Sequence, residues 1–269
     1  MRLQADYPVV KKLLQVPSLL SADHLKKDQP SRKMSNSSPV FLLIETSTEV
    51  CSVALSRGNR LLNQKISREP KAHARVVAPM VQQVLQESGI TLDGCSAVVV
   101  SEGPGSYTGL RVGVSLAKGL CFGSGLPMIS VGSIELLAQL ALEKGKEKYN
   151  YFDFIVPMLD ARRMEVYCAV YDSEAKLLSE VEAKIIDQKS FSGYLEKGVT
   201  LFCGDGAKKV NEVINHPNAI FMELDALASG MIDVALKKYK KGEICDTAYF
   251  EPFYLKDFIA GTPKKGPLG

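Results

Sequence analysis

The chain has no stretch approaching the roughly 20 uninterrupted apolar residues that a membrane-spanning helix needs. Its longest apolar runs, such as Ala97–Val100, have strand length, so no membrane span is expected. It has no CxxC pair either. The six cysteines (Cys51, Cys95, Cys121, Cys168, Cys203 and Cys245) lie far apart and mostly inside apolar stretches. That spacing writes neither a zinc ribbon nor a thioredoxin-type site, and the expectation is buried free thiols in a reducing cytoplasm. Histidine is scarce, and His24, His73 and His216 have no spaced companions. A helical metal site with two imidazoles four apart would need a histidine where Val77 stands. One imidazole does not make a tetrahedral or octahedral site, so no metal is expected on this chain.

A strong charge of one sign is also missing. The net charge is +3 over 269 residues, and it is unevenly placed. Residues 1–39 carry +4 and the last ten residues +2, which leaves −3 on residues 40–259. Such a body offers no broad electrostatic footprint for nucleic acid, and any RNA is expected to be held mostly by a partner.

What is present is an ordinary globular composition, 46% hydrophobic and 23% charged, with length enough for two compact lobes. Residues 1–39 mix Lys, Asp, Ser and Pro around one apolar patch, Val9–Leu20, broken by Lys11, Lys12, Gln15 and Pro17. This is neither a secretory signal nor a transit peptide, and it reads as a disordered extension whose residues 1–33 are dispensable. The rest divides into a first lobe, 40–145, a second, 146–259, and a flexible tail, 260–269.

Strands are expected at Phe41–Ile44, Val50–Ser56 and Leu61–Ser67, the last two joined by a hairpin turn over Arg57–Arg60. Helices follow at His73–Ser88, Thr108–Phe122 and Ser133–Lys144, alternating with strands at Ala97–Ser101 and Pro127–Val131. The second half repeats the order. It has a strand at Tyr151–Leu159, a hairpin of Glu165–Tyr171 and Leu177–Ala183, a strand at Leu201–Cys203, and helices at Ala207–Ile214 and Ala226–Tyr239. A shift of 116 sets Val166 on Val50 and Leu177-Leu178 on Leu61-Leu62, whereas Asp160 and Glu45 lie 115 apart. The expected architecture is α/β: a duplicated two-lobe fold, each lobe a mixed five-stranded sheet with helices. Two unrelated α/β lobes are the alternative.

Three motifs bear on chemistry. Ile44-Glu45-Thr46-Ser47-Thr48 precedes a hairpin, where the actin, sugar-kinase and Hsp70-like superfamily cradles nucleotide phosphates on an Asp- and Gly-containing turn. Here the acid is Glu45 and the glycine is absent; Asp160-Ala161-Arg162-Arg163 in the second half also lacks glycine. A hydroxyl-rich β-turn explains the first equally well. Gly103-Pro104-Gly105-Ser106-Tyr107-Thr108-Gly109 links a strand to a helix that Ser106 or Thr108 can cap. It has no Walker lysine and no GxGxxG spacing, so a structural turn is preferred to a phosphate site. His73 opens a helix alone and is read as a packing residue.

Taken with Met158–Arg163, Cys203–Ala207 and Pro252–Lys256, the run Gly103–Gly113 resembles the TsaB (YeaZ) family, and the resemblance covers about 40–259. It implies an actin-like fold of the ASKHA type and a non-catalytic scaffold subunit that pairs with a TsaD-like catalytic subunit; the alternatives are a degenerate or active sugar or acyl kinase of the same superfamily, or a glycoprotease-like peptidase. A TsaE-like ATPase joins the pair, and together they transfer threonylcarbamoyl to N6 of adenosine 37 in tRNA. It implies no cofactor on this subunit, with ATP and metal on the partners and tRNA reached through the complex; a homodimer stays open. Glu45, Thr46, Ser47, Asp160, Gly204 and Gly206 would mark a vestigial nucleotide site. The family's dimerisation helices correspond to 73–88 and 108–122, with His73, Val76, Met80, Gly109, Val112, Gly113, Leu116 and Ala117 as the expected contact residues. Gly109, Gly113, Ala117 and Cys121 form a small-residue face that would admit another helix closely. Burial of these stripes inside the lobe is the alternative.

Overall fold

A computed structural model describes residues 38–256; the extension, apart from its last two residues, and the tail 260–269 lie outside the described residues. The first lobe is built on β1 (Val40–Glu45), β2 (Cys51–Arg57), β3 (Arg60–Ser67), β4 (Ala97–Gly103) and β5 (Met128–Gly132), in the order β3-β2-β1-β4-β5. β1 and the apolar part of β4 are continuous hydrophobic runs because both faces of the sheet are covered, and they pair in parallel. β2 and β3 are antiparallel to their neighbours. Helices α1 (His73–Glu87) and α2 (Tyr107–Ser124) pack side by side on one face, and α3 (Ser133–Lys148) on the other.

The second lobe repeats the plan. β6 (Phe154–Asp160), β7 (Glu165–Cys168), β9 (Glu182–Ile185), β10 (Thr200–Cys203) and β11 (Ala219–Met222) run β9-β7-β6-β10-β11, with the same parallel and antiparallel senses at each step. Glu45 pairs with Ser52 and Asp160 with Val166, so the two acids occupy equivalent strand ends. This overturns the uniform shift of 116, because Val166 answers to Ser52 rather than to Val50. Leu177 and Leu178 fall in a loop and β9 supplies the edge strand. The reason is β8 (Tyr171–Asp172), a sixth strand at the tip of the expected hairpin: Tyr171 keeps a bridge to Leu177 while β8 pairs with β6 and buries Tyr171 in the core.

Short helices α4 (Ser192–Leu195) and α5 (Ala207–Asn211) complete this lobe. The helix expected over Ala226–Tyr239 is a 3₁₀ turn, Ala228–Met231, followed by α6 (Ile232–Lys241). Gly230 lets that turn press on the Leu136 carbonyl of α3. One apolar core runs through both lobes, joining Phe41, Val99 and Ile129 of the first sheet, Leu136 and Leu140 of α3, and Ile155 and Leu201 of the second. The Ala228 N–H donates to the buried Ser52 Oγ across the lobe boundary at 2.8 Å. Residues 243–256, assigned by sequence to the second lobe, return to the first. The Cys245 N–H donates to the Met128 carbonyl, Lys118 Nζ donates to the carbonyls of Ala248 and Phe250, and the Phe253 N–H donates to the Glu102 carbonyl.

Candidate functional site

The β1–β2 turn is closed. Glu45 and Thr46 are fully buried and Ser47 is 1% exposed, because the start of α2 lies directly on them. The approach is made by glycine. A Cβ at Gly105 or Gly109 would overlap the carbonyl oxygens of Ser47 or Thr46, and one at Gly113 would overlap Thr46 Oγ1, all under 3.0 Å. Ser106 caps α2 by accepting from the Gly109 N–H at 3.3 Å, as expected for the GPGSYTG run, and its own N–H donates to the Ser47 carbonyl at 2.7 Å. The donors a phosphate would use are taken: the Thr46 N–H points to Ser101 Oγ, the Ser47 N–H to Glu45 Oε1, and the Val50 N–H to Thr48 Oγ1. Burial pushes the Glu45 carboxyl up to about 7, against the opposing hydrogen bonds from Ser47. Glu45 Oε2, Thr46 Oγ1 and Ser47 Oγ have no hydrogen-bond partner among the described residues. Glu45, Thr46 and Ser47 therefore line no open phosphate cradle.

In the second lobe Asp160 is exposed at the equivalent strand end. Its N–H donates to Asp205 Oδ1 at 2.8 Å, and its own Oδ1 accepts from the Arg162 N–H at 2.7 Å. Lys209 Nζ reaches Asp160 Oδ1 and the carbonyls of Arg163 and Glu165. Gly204 and Gly206 lie against Met158, where a Cβ at Gly204 would clash with its carbonyl and one at Gly206 would sit tight against its side chain. Although part of Asp205 reaches solvent, desolvation pushes its carboxyl up to about 6. Structure thus brings Asp160, Gly204 and Gly206 together, but no hydrogen bond joins them to the Glu45 set. Arg162 and Arg163 hold φ of +70° and +51°, a left-handed backbone that costs bulky residues on the order of 1 kcal/mol each.

The residues expected to meet a partner divide in two. Gly109, Gly113 and Ala117 are buried and face the β1–β2 turn or the lobe's core, so these three present no outward surface, and Met80 is 6% exposed. The physical reason is that the small-residue face of α2 admits the turn of its own lobe, not a foreign helix. His73, Val76, Val112 and Leu116 are half-buried. Val76 and Met80 line a shallow groove with Lys65, Ile66 and Pro79. The outward face of α2 carries Ser115, Gly119 and Phe122, the last 83% exposed, beside Val112 and Leu116. A Cβ at Gly119 would meet nothing within 4 Å. Ala74 and Ala78, four apart, lie outward or half-outward on α1.

The segment Pro252–Lys256 forms a strap between the lobes at the same end of the sheets. Tyr254 leans on Tyr107 with centroids 4.7 Å apart and accepts from Arg111 Nε at 3.2 Å, while Lys256 pairs with Glu165 of β7. Gly103 sits at φ +115°, and the Phe253 carbonyl occupies the place of its absent Cβ. Sequence patterning missed this strap because its contacts are single long-range ones, between side chains for Tyr254 and Lys256 and between backbone groups for Phe253, without hydrophobic periodicity.

A family model described as "TsaD: tRNA N6-adenosine threonylcarbamoyltransferase" matches residues 61–238. The tRNA threonylcarbamoyladenosine biosynthesis protein TsaB of Escherichia coli K12 is 30% identical over 234 residues, 82% of this chain and 96% of its own length. The chain belongs to the TsaB (YeaZ) family. The Bacillus subtilis TsaB is 36% identical over 142 residues, 52% of this chain and 58% of that protein. The solved structure of YeaZ from Pseudomonas aeruginosa superposes with a TM-score of 0.71 at 27% identity, covering 81% of this chain and all of that one. The duplicated actin-like fold and a part in threonylcarbamoyladenosine biosynthesis follow from that membership.

Proposed function

We propose that this chain is the non-catalytic accessory subunit of a threonylcarbamoyl transferase acting on N6 of adenosine 37 in tRNA. It pairs in the cytoplasm with a TsaD-like catalytic subunit, which a TsaE-like ATPase joins; ATP and metal act on those partners, and this subunit needs neither. The observation that carries the reading is the contrast between the two surfaces. Both phosphate turns spend their N–H groups on internal acceptors, whereas the outer face of α2 leaves Phe122 uncovered beside an open Gly119. Exposed apolar surface next to small residues is what a docking helix uses.

The docking contacts are therefore Val112, Ser115, Leu116, Gly119 and Phe122 with Ala74 and Ala78 of α1, replacing the inward Gly113 face. Gly119→Arg tests this. Arginine meets open space at that position and suits a helix better than glycine by about 1 kcal/mol, so the thermal melt should hold or rise. Co-elution with the TsaD-like subunit should be lost. Retained co-elution would place the docking surface elsewhere, and a wild-type chain that never co-elutes with such a subunit would defeat the reading. Sedimentation of the isolated wild type and variant tells whether a second copy of the chain uses the same face.

A further inference from the structure

A second surface, which meets the outer face of α2 at Arg111, carries cations without carboxylate partners. Asp160 is taken by Lys209 and Glu165 by Lys256. The guanidinium groups of Arg162 and Arg163, on two exposed residues, make no ion pair among the described residues. The strap extends this surface into the first lobe. Lys256 lies 5.9 Å from the centre of the Tyr167 ring, and Arg162 is close enough to act on the Tyr167 hydroxyl. Two residues back, Tyr254 accepts from Arg111, whose guanidinium lies 4.2 Å over the Tyr107 ring. Arg111 makes no ion pair among the described residues either, although Glu251 acts on it from farther off, and Phe253, next to Tyr254 in the strap, is 45% exposed.

We propose that this strip is a direct RNA-contact surface, in which Arg162 and Arg163 engage phosphates and the Arg111–Tyr107–Tyr254 stack presents a fixed planar cation to a phosphate or an unstacked base. The inference rests on the tRNA-modification reading above and deepens it. Arginine planes and aromatic rings are the groups that hold splayed RNA bases, and arginine forks match phosphate geometry. An acidic protein segment would be served by charge alone and would gain nothing from the ring-held Arg111. The body's charge of −3 limits the contact to a few phosphates, so binding should be local and modest in its salt dependence.

The test is a titration of the full chain into a fluorescein-labelled, unmodified tRNA transcript, followed by anisotropy at several salt concentrations. With about three phosphates neutralised, log K for the wild type should fall with log[salt] at a slope of roughly −2 to −3. In the double variant R162G/R163G the charges vanish while the left-handed backbone is relieved, so the melt should hold or rise. Its tRNA binding should weaken about tenfold or more and its slope flatten by roughly 1.5. R111Q should weaken binding by a smaller factor. No tRNA binding by the wild type, or unchanged affinity and slope in R162G/R163G, would overturn the proposal. Polyglutamate competing as well as unlabelled RNA would also overturn it, by making an acidic protein the occupant. Co-elution of wild type and R162G/R163G with the TsaD-like subunit separates the two readings. A wild type that co-elutes but binds no tRNA sinks the RNA surface alone, whereas one that fails to co-elute sinks the functional reading whatever the titration gives.

Discussion

Gly113→Ala should destabilise this protein although it adds a better helix former. The ideal Cβ at 113 falls under 3.0 Å from Thr46 Oγ1, and its next neighbours, Thr46 Cβ and Cγ2, are at 3.4 Å. Thr46 is fully buried in a turn pinned by Ser101 and by the α2 start, so it has little room to withdraw. Overpacking of this kind costs roughly 1–3 kcal/mol. The gain in helix propensity returns about 1 kcal/mol. The net expectation is a loss of up to about 2 kcal/mol, or a few degrees in melting temperature for a chain of this size. The sign should change when the obstruction goes. In a Thr46→Ala background only the 3.4 Å contact remains, and Gly113→Ala should then be neutral or stabilising by up to about 1 kcal/mol. Urea unfolding of the wild type, both single variants and the double variant gives the coupling energy directly. A coupling of about 1–3 kcal/mol is expected. Additivity within about 0.5 kcal/mol would refute the close approach and return the small-residue face to the surface.

Gly109→Ala should be worse than Gly113→Ala, since its Cβ meets the Thr46 backbone carbonyl, which cannot change rotamer; unfolding midpoints rank the two. Stability should fall as pH rises from about 4.5 to about 7, because folded Glu45 keeps its proton where the unfolded chain has lost it. That contribution is fully present below the unfolded value and disappears through the folded one, a change on the order of 3 kcal/mol. Glu45→Gln should remove most of this slope, and a slope unchanged in urea melts across that range would contradict a buried, proton-holding Glu45. Ser52→Ala leaves the Ala228 N–H without its acceptor across the lobe boundary and should cost about 1–3 kcal/mol. An unaltered midpoint would mean that water replaces the hydroxyl there.

The first lobe was legible almost element by element. β1 and the β4 core are pure apolar runs, the turn at Gly58 divides two alternating strands, and α1 shows its core stripe Val77, Val81 and Val84 by spacing alone. The Ser106 cap was equally visible. What could not be read was the direction in which the glycines of α2 face. Hydropathy tells which side of a helix a valine seeks, but glycine has no side chain to declare one, so the same spacing suits an external helix contact or an internal turn. The second lobe was harder because β7 and β9 are short and their register is set by Tyr171, whose burial draws β8 onto β6. The strap was recognised only as a loose motif. Its hold on the first lobe comes from single long-range bonds of Lys118, Arg111 and backbone groups, and no local pattern encodes those.

The missing glycine in the first phosphate turn and the surplus glycines in α2 have one explanation. A turn that cradles phosphate keeps its own backbone bare so that an anion can approach its N–H groups. In this chain the approaching object is a helix, and the bareness has moved to the helix and the loop before it: Gly105, Gly109 and Gly113 are stripped so that the turn can carry Glu45, Thr46 and Ser47. The acid then sits in a sealed space, partly neutral, with its Ser47 N–H bond turned inward. Restoring the phosphate site would need more than a glycine at Thr46 or Ser47. It would also require α2 to withdraw, which would uncover Leu110, Val114 and Ala117, all buried in this fold. The cost of exposing that apolar surface, at about 25 cal/mol per Å², exceeds what a single restored anion contact returns. On this physics the turn and α2 act as one packed unit that holds the outer face of α2 rigid, and that rigidity suits a subunit whose proposed task is to present a surface.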